Sequence, residues 1–222
     1  MSTEDDWLLT PSRVAVHRPT ATAVLSDLHL GYAEARRRGG DAVPTIDLAE
    51  ALAPLASTLD RHGVSRLVIA GDLFEAGFRE DLSTQLLAWL KEKGVELLPV
   101  VPGNHDRGLS RTRGGLPVCA GPLVLGGWHI VHGDGPLPAA PVVQGHLHPC
   151  LRIRAQRLSV PCYLTGERRL ILPAYTVEAA GVNVFDHPEW DDLSCHVIVG
   201  DQVLDFGDLA SLRQRTAGRR RQ

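Results

Sequence analysis

In the first half of the chain, short apolar runs alternate with longer stretches whose apolar residues recur every three or four positions. The runs TATAVLSD (20–27), SRLVIAGD (65–72) and VELLPVVPGN (95–104) predict strands, each ending in polar residues. Between the first two, residues 46–62 place Ile46, Leu48, Ala49, Leu52, Leu55, Ala56 and Leu59 at helical spacing, with Gly63 as the stop. Pro54 lies inside that pattern and predicts a kink or a first-turn position. Residues 80–93 form a second amphipathic helix, closed by Gly94. This strand–helix–strand–helix–strand order favours an α/β fold with parallel strands and crossover helices.

The second half changes period. Segments 122–134, 141–153, 160–175 and 195–208 read as strands linked by turns, with TGER and VGDQ as hairpin tips. RRRGGDAVP (36–44) is the best candidate for a mobile loop, because Gly39, Gly40 and Pro44 break regular structure.

Length and composition narrow this picture. At 222 residues, 44% hydrophobic and 22% charged, the chain suits one core-bearing domain, taken as 1–212. A net charge of -3 gives no global basic field for a large duplex-DNA platform. The last ten residues differ, with five arginines and no acid, and are expected to form a basic, disordered tail at 213–222. The start lacks the basic-then-apolar order of a signal peptide, and no apolar run reaches membrane length. Cys119, Cys150, Cys162 and Cys195 are widely spaced, which argues for reduced thiols in a cytoplasmic protein rather than a disulfide framework.

The polar strand ends carry the candidate chemistry. They read SDLHLG (26–31), GDLFE (71–75), GNHD (103–106) and HGD (132–134), joined by GHLH (145–148). Ligands of open α/β sheets collect beyond the carboxyl ends of strands. If these ends are neighbours, Asp27, His29, Asp72, Asn104, His132, His146 and His148 share one small volume. Carboxylate, imidazole and amide oxygen together suit Mn, Fe, Zn, Co or Ni better than Ca or Mg alone. A locally extended backbone in Asp27-x-His29 and His146-x-His148 is expected to point each pair to one side. Nearby glycines let the chain turn tightly beside the ions. His17, His62, His129, His187 and His196 have no comparable context and are read as surface or satisfied core residues.

In order, these motifs cover roughly residues 23–150 and resemble the calcineurin-like metallophosphoesterase superfamily. SDLHLGY, the EARRRGG loop and the compact length further resemble the small ICC-like members, and among them the DNA-ligase-associated subgroup, which has a DNA-repair context. The resemblance implies a four-layer α/β/β/α sandwich of two mixed sheets flanked by helices. It implies a first ion on Asp27, His29, Asp72 and His148, and a second on Asp72, Asn104, His132 and His146. Manganese is the expected ion, with iron or zinc as alternatives. Glu75 stands where the pattern has an aspartate, as outer support rather than a ligand.

The expected reaction is phosphodiester hydrolysis by a hydroxide bridging the two ions. His105, oriented by Asp106, is the expected general acid; Asp106 capping the following turn is the alternative. Arg36, Arg37, Arg38 and Arg107 are candidate phosphate contacts outside the catalytic set. The implied substrates are single-stranded nucleic acid, nucleotides or small diesters, and the implied partners are repair proteins such as a DNA ligase. The competing readings are a phosphomonoesterase or nucleotide pyrophosphohydrolase, and a non-catalytic metal-binding scaffold.

Overall fold

The computed structural model describes residues 3–109, 115–153 and 157–218. The first sheet contains β1 (Trp7–Leu9), β2 (Ala15–His17), β3 (Thr22–Leu25), β4 (Arg66–Ile69) and β5 (Glu96–Leu97), in that spatial order. β3, β4 and β5 are parallel, as the alternation with helices predicts; β1 and β2 add an antiparallel edge. The helices of this half are α1 (Thr3–Asp6), α2 (Tyr32–Arg38), α3 (Leu48–His62) and α4 (Glu80–Glu92).

The second sheet contains β6 (Leu123–Leu125), β7 (Trp128–Val131), β8 (Val142–Gln144), β9 (Pro149–Ile153), β10 (Leu158–Gly166), β11 (Arg169–Ile171), β12 (Val182–Asn183), β13 (Ser194–Val199) and β14 (Gln202–Asp208). The hairpins at TGER and VGDQ form as expected, joining β10 to β11 and β13 to β14. β8 pairs in parallel with both β7 and β11, which the reading of successive turns did not anticipate. Helix α5 (Leu209–Gly218) follows β14 directly.

Alternation along the strands builds three apolar layers. Ala23 and Leu25 of β3, with Leu67 and Ile69 of β4, pack against Leu52, Leu55 and Leu59 of α3 and Leu86 and Leu90 of α4. The intervening Val24 and Val68 face the other way, onto Trp128, Ile130, Val143 and Tyr163 of the second sheet. On that sheet, Cys162, Leu164 and Ile171 turn outward to Trp190, Leu209 and Leu212. Because side chains alternate across a strand, a stretch buried on both faces must be apolar at every position, and Ala23–Leu25 of β3 and Leu67–Ile69 of β4 are. Three apolar layers separate four structural ones: helices, sheet, sheet, helix. This is the mixed α/β sandwich expected.

Several local expectations change. Arg36, Arg37 and Arg38 are the last turn of α2, so the expected mobile loop begins as helix. Helix α3 passes through Pro54, starting at Asp47, whose side chain accepts the Glu50 N–H. Pro54 is exposed, so solvent can take the carbonyl that its missing N–H leaves unbonded. Ile46, expected on the helix, precedes it and is exposed. The boundary at residue 213 falls inside α5, where Arg213 pairs with Asp191 at 2.7 Å. Residues 219–222 of the expected tail lie outside the described residues. No described helix is long and apolar enough to cross a membrane.

Candidate metal centre

Strand direction gathers the site. β3 and β4 in one sheet, and β7 and β8 in the other, are parallel neighbours whose carboxyl ends lead into Asp27 and His29, Asp72, His132, and His146 and His148. Hydrogen bonds between the loops lock this rim. Asp27 N–H donates to Gly71 O at 3.0 Å, His29 N–H to Asp72 O at 2.9 Å, and Gly145 N–H to His132 O at 2.9 Å.

The backbone that presents these side chains is not extended, as the D-x-H and H-x-H spacing suggested. Asp27, His29, Asp72, His146 and His148 all have left-handed φ, between 45° and 65°. Such residues are uncommon outside glycine and persist where surrounding structure over-determines them, typically at functional sites. Gly71, at φ 90°, lies directly beneath the centre; a Cβ there would stand 2.1 Å from His132 Nδ1.

Three groups of potential ligands result among the described residues. Asp27, His29 and His148 converge in the first, and Asp72, His132 and His146 in the second; a third, His29, Glu75 and His105, shares His29 with the first. In the second, His132 Nε2 lies 3.0 Å from Asn104 Oδ1, 3.1 Å from His146 Nδ1 and 3.3 Å from Asp72 Oδ2. Atoms bound to one divalent ion at about 2.1 Å sit roughly 3 Å from each other, so this packing fits a shared cation. Asp72 joins the groups. Its Oδ1 accepts the His105 N–H at 2.8 Å, while Oδ2 faces His132 Nε2 and, at 3.9 Å, His29 Nε2.

The first group provides the sharper fit test. His29 Nε2 and His148 Nε2 are buried and lack a hydrogen-bond partner among the described residues. His148 Nε2 stands 3.1 Å from Asp27 Oδ1, but without hydrogen-bond geometry. An orphaned buried nitrogen is costly, and a cation in that space would satisfy both. The seven residues therefore fit a pair of divalent ions.

Electrostatics agree. Asp27 and Asp72 are almost fully buried. Burial pushes the Asp72 carboxyl up, but hydrogen bonds from His132 and the His105 N–H outweigh it and hold the group below its ordinary value. Burial also opposes charge on His132 and His148, yet the neighbouring carboxylates win and raise both. His146 is lowered, by burial and by His132.

The expected pairing of Asp106 with His105 is absent. Asp106 accepts from the backbone N–H groups of Leu73, Phe74 and Gly103, at 3.2, 2.9 and 2.9 Å. It ties the GNHD turn to the GDLFE loop, because three converging N–H groups outcompete a neighbouring ring. Burial raises its pKa, and those three donors only partly offset the rise. The His105 ring is held instead by Glu75: Nδ1 donates to the Glu75 backbone O at 2.7 Å. Its side chain is 40% exposed, so Nε2 is open to solvent and to a ligand beside the centre. Glu75 Oε2 accepts from His29 Nδ1 at 2.7 Å, which is outer support of the kind expected.

Other sequence candidates are less engaged. Arg36 pairs with Asp41 at 2.9 Å. His187 stacks on Trp190 and pairs with Glu189, and His196 meets Thr165 Oγ1 at 2.7 Å. His17 is buried, with Nδ1 2.7 Å from Thr20 Oγ1, whereas its Nε2 and His129 Nδ1 are buried without a hydrogen-bond partner among the described residues. Sequence reasoning missed Arg13, on the β1–β2 turn. That turn meets the carboxyl end of β3, since Ala15 pairs with Val24, yet no motif marks Arg13.

The chain matches the family model for calcineurin-like phosphoesterase over residues 21–168. No curated protein matches it. In structure it is similar to nuclease MPE from Pseudomonas putida, with a TM-score of 0.68 and 22% identity, covering 90% of this chain and 94% of that one. At that identity the likeness concerns the fold. With two-thirds of its length matched and the candidate metal residues gathered on one rim, the chain belongs to the calcineurin-like phosphoesterase family and is a metal-dependent phosphoesterase.

Proposed function

We propose that the protein hydrolyses phosphodiester bonds of nucleic-acid or nucleotide-type substrates at a two-metal centre. The position of Asp72 Oδ2 between the two imidazole groups carries this reading, since one carboxylate can then serve both ions. Asp27, His29, Asp72 and His148 would hold the first ion, and Asp72, Asn104, His132 and His146 the second. Bound there, two divalent ions would supply positive charge for the phosphate and lower the pKa of a water so that it could act as nucleophile near neutral pH.

The chain's own residues do the rest. Glu75 accepts the Nδ1 proton of His29 and leaves Nε2 free to ligate. The Glu75 carbonyl fixes His105 with its Nδ1 proton inward, so Nε2 can give a proton to the departing alkoxide. Asp106 keeps the turn carrying Asn104 and His105 against the loop carrying Asp72. Manganese is the proposed ion. The likeness to a nuclease supports a nucleic-acid substrate, and the resemblance of the motifs to ligase-associated phosphoesterases supports a repair context.

Protein stripped with chelator and reloaded with Mn is to be given bis(p-nitrophenyl) phosphate, p-nitrophenyl phosphate and a single-stranded oligonucleotide, with elemental analysis alongside. Two ions per chain and faster cleavage of the diester than the monoester are expected. A faster monoester rate would favour a phosphomonoesterase. Two bound ions with no turnover would favour a scaffold.

A further inference from the structure

Two cavities flank the metal centre, and their charges differ. The larger, about 740 Å³, reaches His29 and is lined by five carboxylates, among them Glu34, Glu50 and Glu178, with Arg13 as its arginine. The smaller, about 210 Å³, reaches His148 and is lined by Arg13, Arg152 and Ser159, with no carboxylate among its lining residues. Arg79 pairs with two of the five, Glu34 and Asp81, so the first cavity keeps a smaller acidic excess, and a phosphate suits the second better.

Both arginines arrive there through the fold. Arg13 lies on the turn that meets the carboxyl end of β3. Its Nη1 donates to Thr176 O at 2.8 Å and sits 3.4 Å from the carbonyls of Ala174 and Tyr175. Thr176 in turn donates its N–H to Asp27 O, so this clamp adjoins the metal rim. Arg152 lies on β9, four residues beyond His148, and its Nη2 donates to Gly181 O at 2.6 Å. All these acceptors are neutral carbonyls; neither guanidinium is paired with a carboxylate of the described residues. Burial pulls the Arg13 guanidinium below its ordinary value. A half-buried cation without a counter-charge is costly, and an anionic ligand would offset that cost.

We propose that the cavity between Arg13, Arg152 and His148 is a subsite for a second phosphate, the one next to the scissile phosphate in the same substrate. It rests on the phosphodiesterase reading and sharpens it: the enzyme prefers a substrate with two neighbouring phosphates over an isolated diester. Each arginine can offer N–H donors to phosphate oxygens, leaving the phosphate to be cut to the residues that would hold the ions. Because both arginines lie on one flank of the centre, the second phosphate counts from one end of the scissile bond.

The test uses Mn-loaded enzyme with TpT, which has one diester, and with pTpT and TpTp, which add a phosphate at one end or the other. One of the two phosphorylated dinucleotides is expected to raise kcat/KM about tenfold over TpT, a typical effect of charge-assisted bonds to phosphate. Which one it is gives the polarity. TpTpT, with and without a neutral methylphosphonate at the flanking linkage, separates an internal diester from a terminal monoester as the source of the second phosphate. Arg152→Ala alters an exposed side chain and should cut the gain to threefold or less; Arg13→Lys, which keeps charge and loses the fork, should reduce it too. Turnover of TpT with no gain from either added phosphate, or a gain intact in both variants, overturns the subsite alone. No turnover of any substrate overturns the hydrolase reading, and the subsite with it.

Discussion

His29 Nδ1 and Glu75 Oε2 stand 2.7 Å apart, and this contact decides which nitrogen of His29 faces the metal centre. With the proton on Nδ1, the buried Nε2 presents a lone pair toward Asp72 and His148. Glu75→Ala should therefore weaken manganese binding about 10–100-fold. Glu75→Gln, whose amide oxygen still accepts that proton, should lose less. Calorimetric titration of metal-free protein separates the two; equal affinity in wild type and Glu75→Ala would show that the contact orients nothing.

His105 and Asp106 are adjacent in sequence yet act on different things. His105→Ala should retain both ions and lower kcat about 10²–10⁴-fold, most for poor leaving groups. Asp106→Ala orphans three backbone N–H groups and should lower stability by roughly 3 kcal/mol, with metal content falling as the turn loosens. Chemical denaturation and elemental analysis on both variants give the contrast. A stable, metal-replete Asp106→Ala protein would return Asp106 to the role of orienting His105.

Gly71 tests how closely the backbone must approach the centre. An added Cβ would collide with His132 Nδ1 at 2.1 Å, so Gly71→Ala should cost roughly 1–3 kcal/mol and abolish occupancy of the second ion. Gly94 also has a positive φ, 65°, but a Cβ there meets nothing within 4 Å. Gly94→Ala is thus the control for backbone strain alone, and should leave metal content at wild-type level.

The metal-free protein should be most stable in mildly acid solution. Asp72 is held below its ordinary value, so its contribution is full above the carboxylate range and is lost as pH falls through the lowered value. His132 and His148 are held above theirs, so their contributions are full below the imidazole range and are lost as pH rises through the raised values. All three coexist between about pH 4 and 6.5. His146 and Asp106 have the opposite shifts and flatten the curve on its alkaline and acid sides respectively. Melting temperatures measured with chelator should peak near pH 5–6, and manganese should move the peak upward, because ions need unprotonated imidazoles. A metal-free melting temperature that climbs steadily to pH 9 would contradict this balance.

Much of the molecule was legible in the residues alone. Parallel order in the first sheet followed from alternating periods, and the seven candidate ligands followed from polar residues placed where apolar runs stop. These are local signals: a strand announces its own end. The parallel pairing of β7, β8 and β11 was not legible, because residues far apart in sequence choose strand partners. Neither was the left-handed backbone at five candidate ligands, nor the attachment of Asp106 to Leu73 and Phe74, more than thirty residues away. Arg13 and Arg152 carry no motif, and only the meeting of the β1–β2 turn with β9 beside His148 makes them neighbours. Amino-acid order thus determined which groups are candidates to bind a metal. Packing of two sheets face to face decided which atoms of those groups point at one another, since that depends on contacts no local pattern encodes.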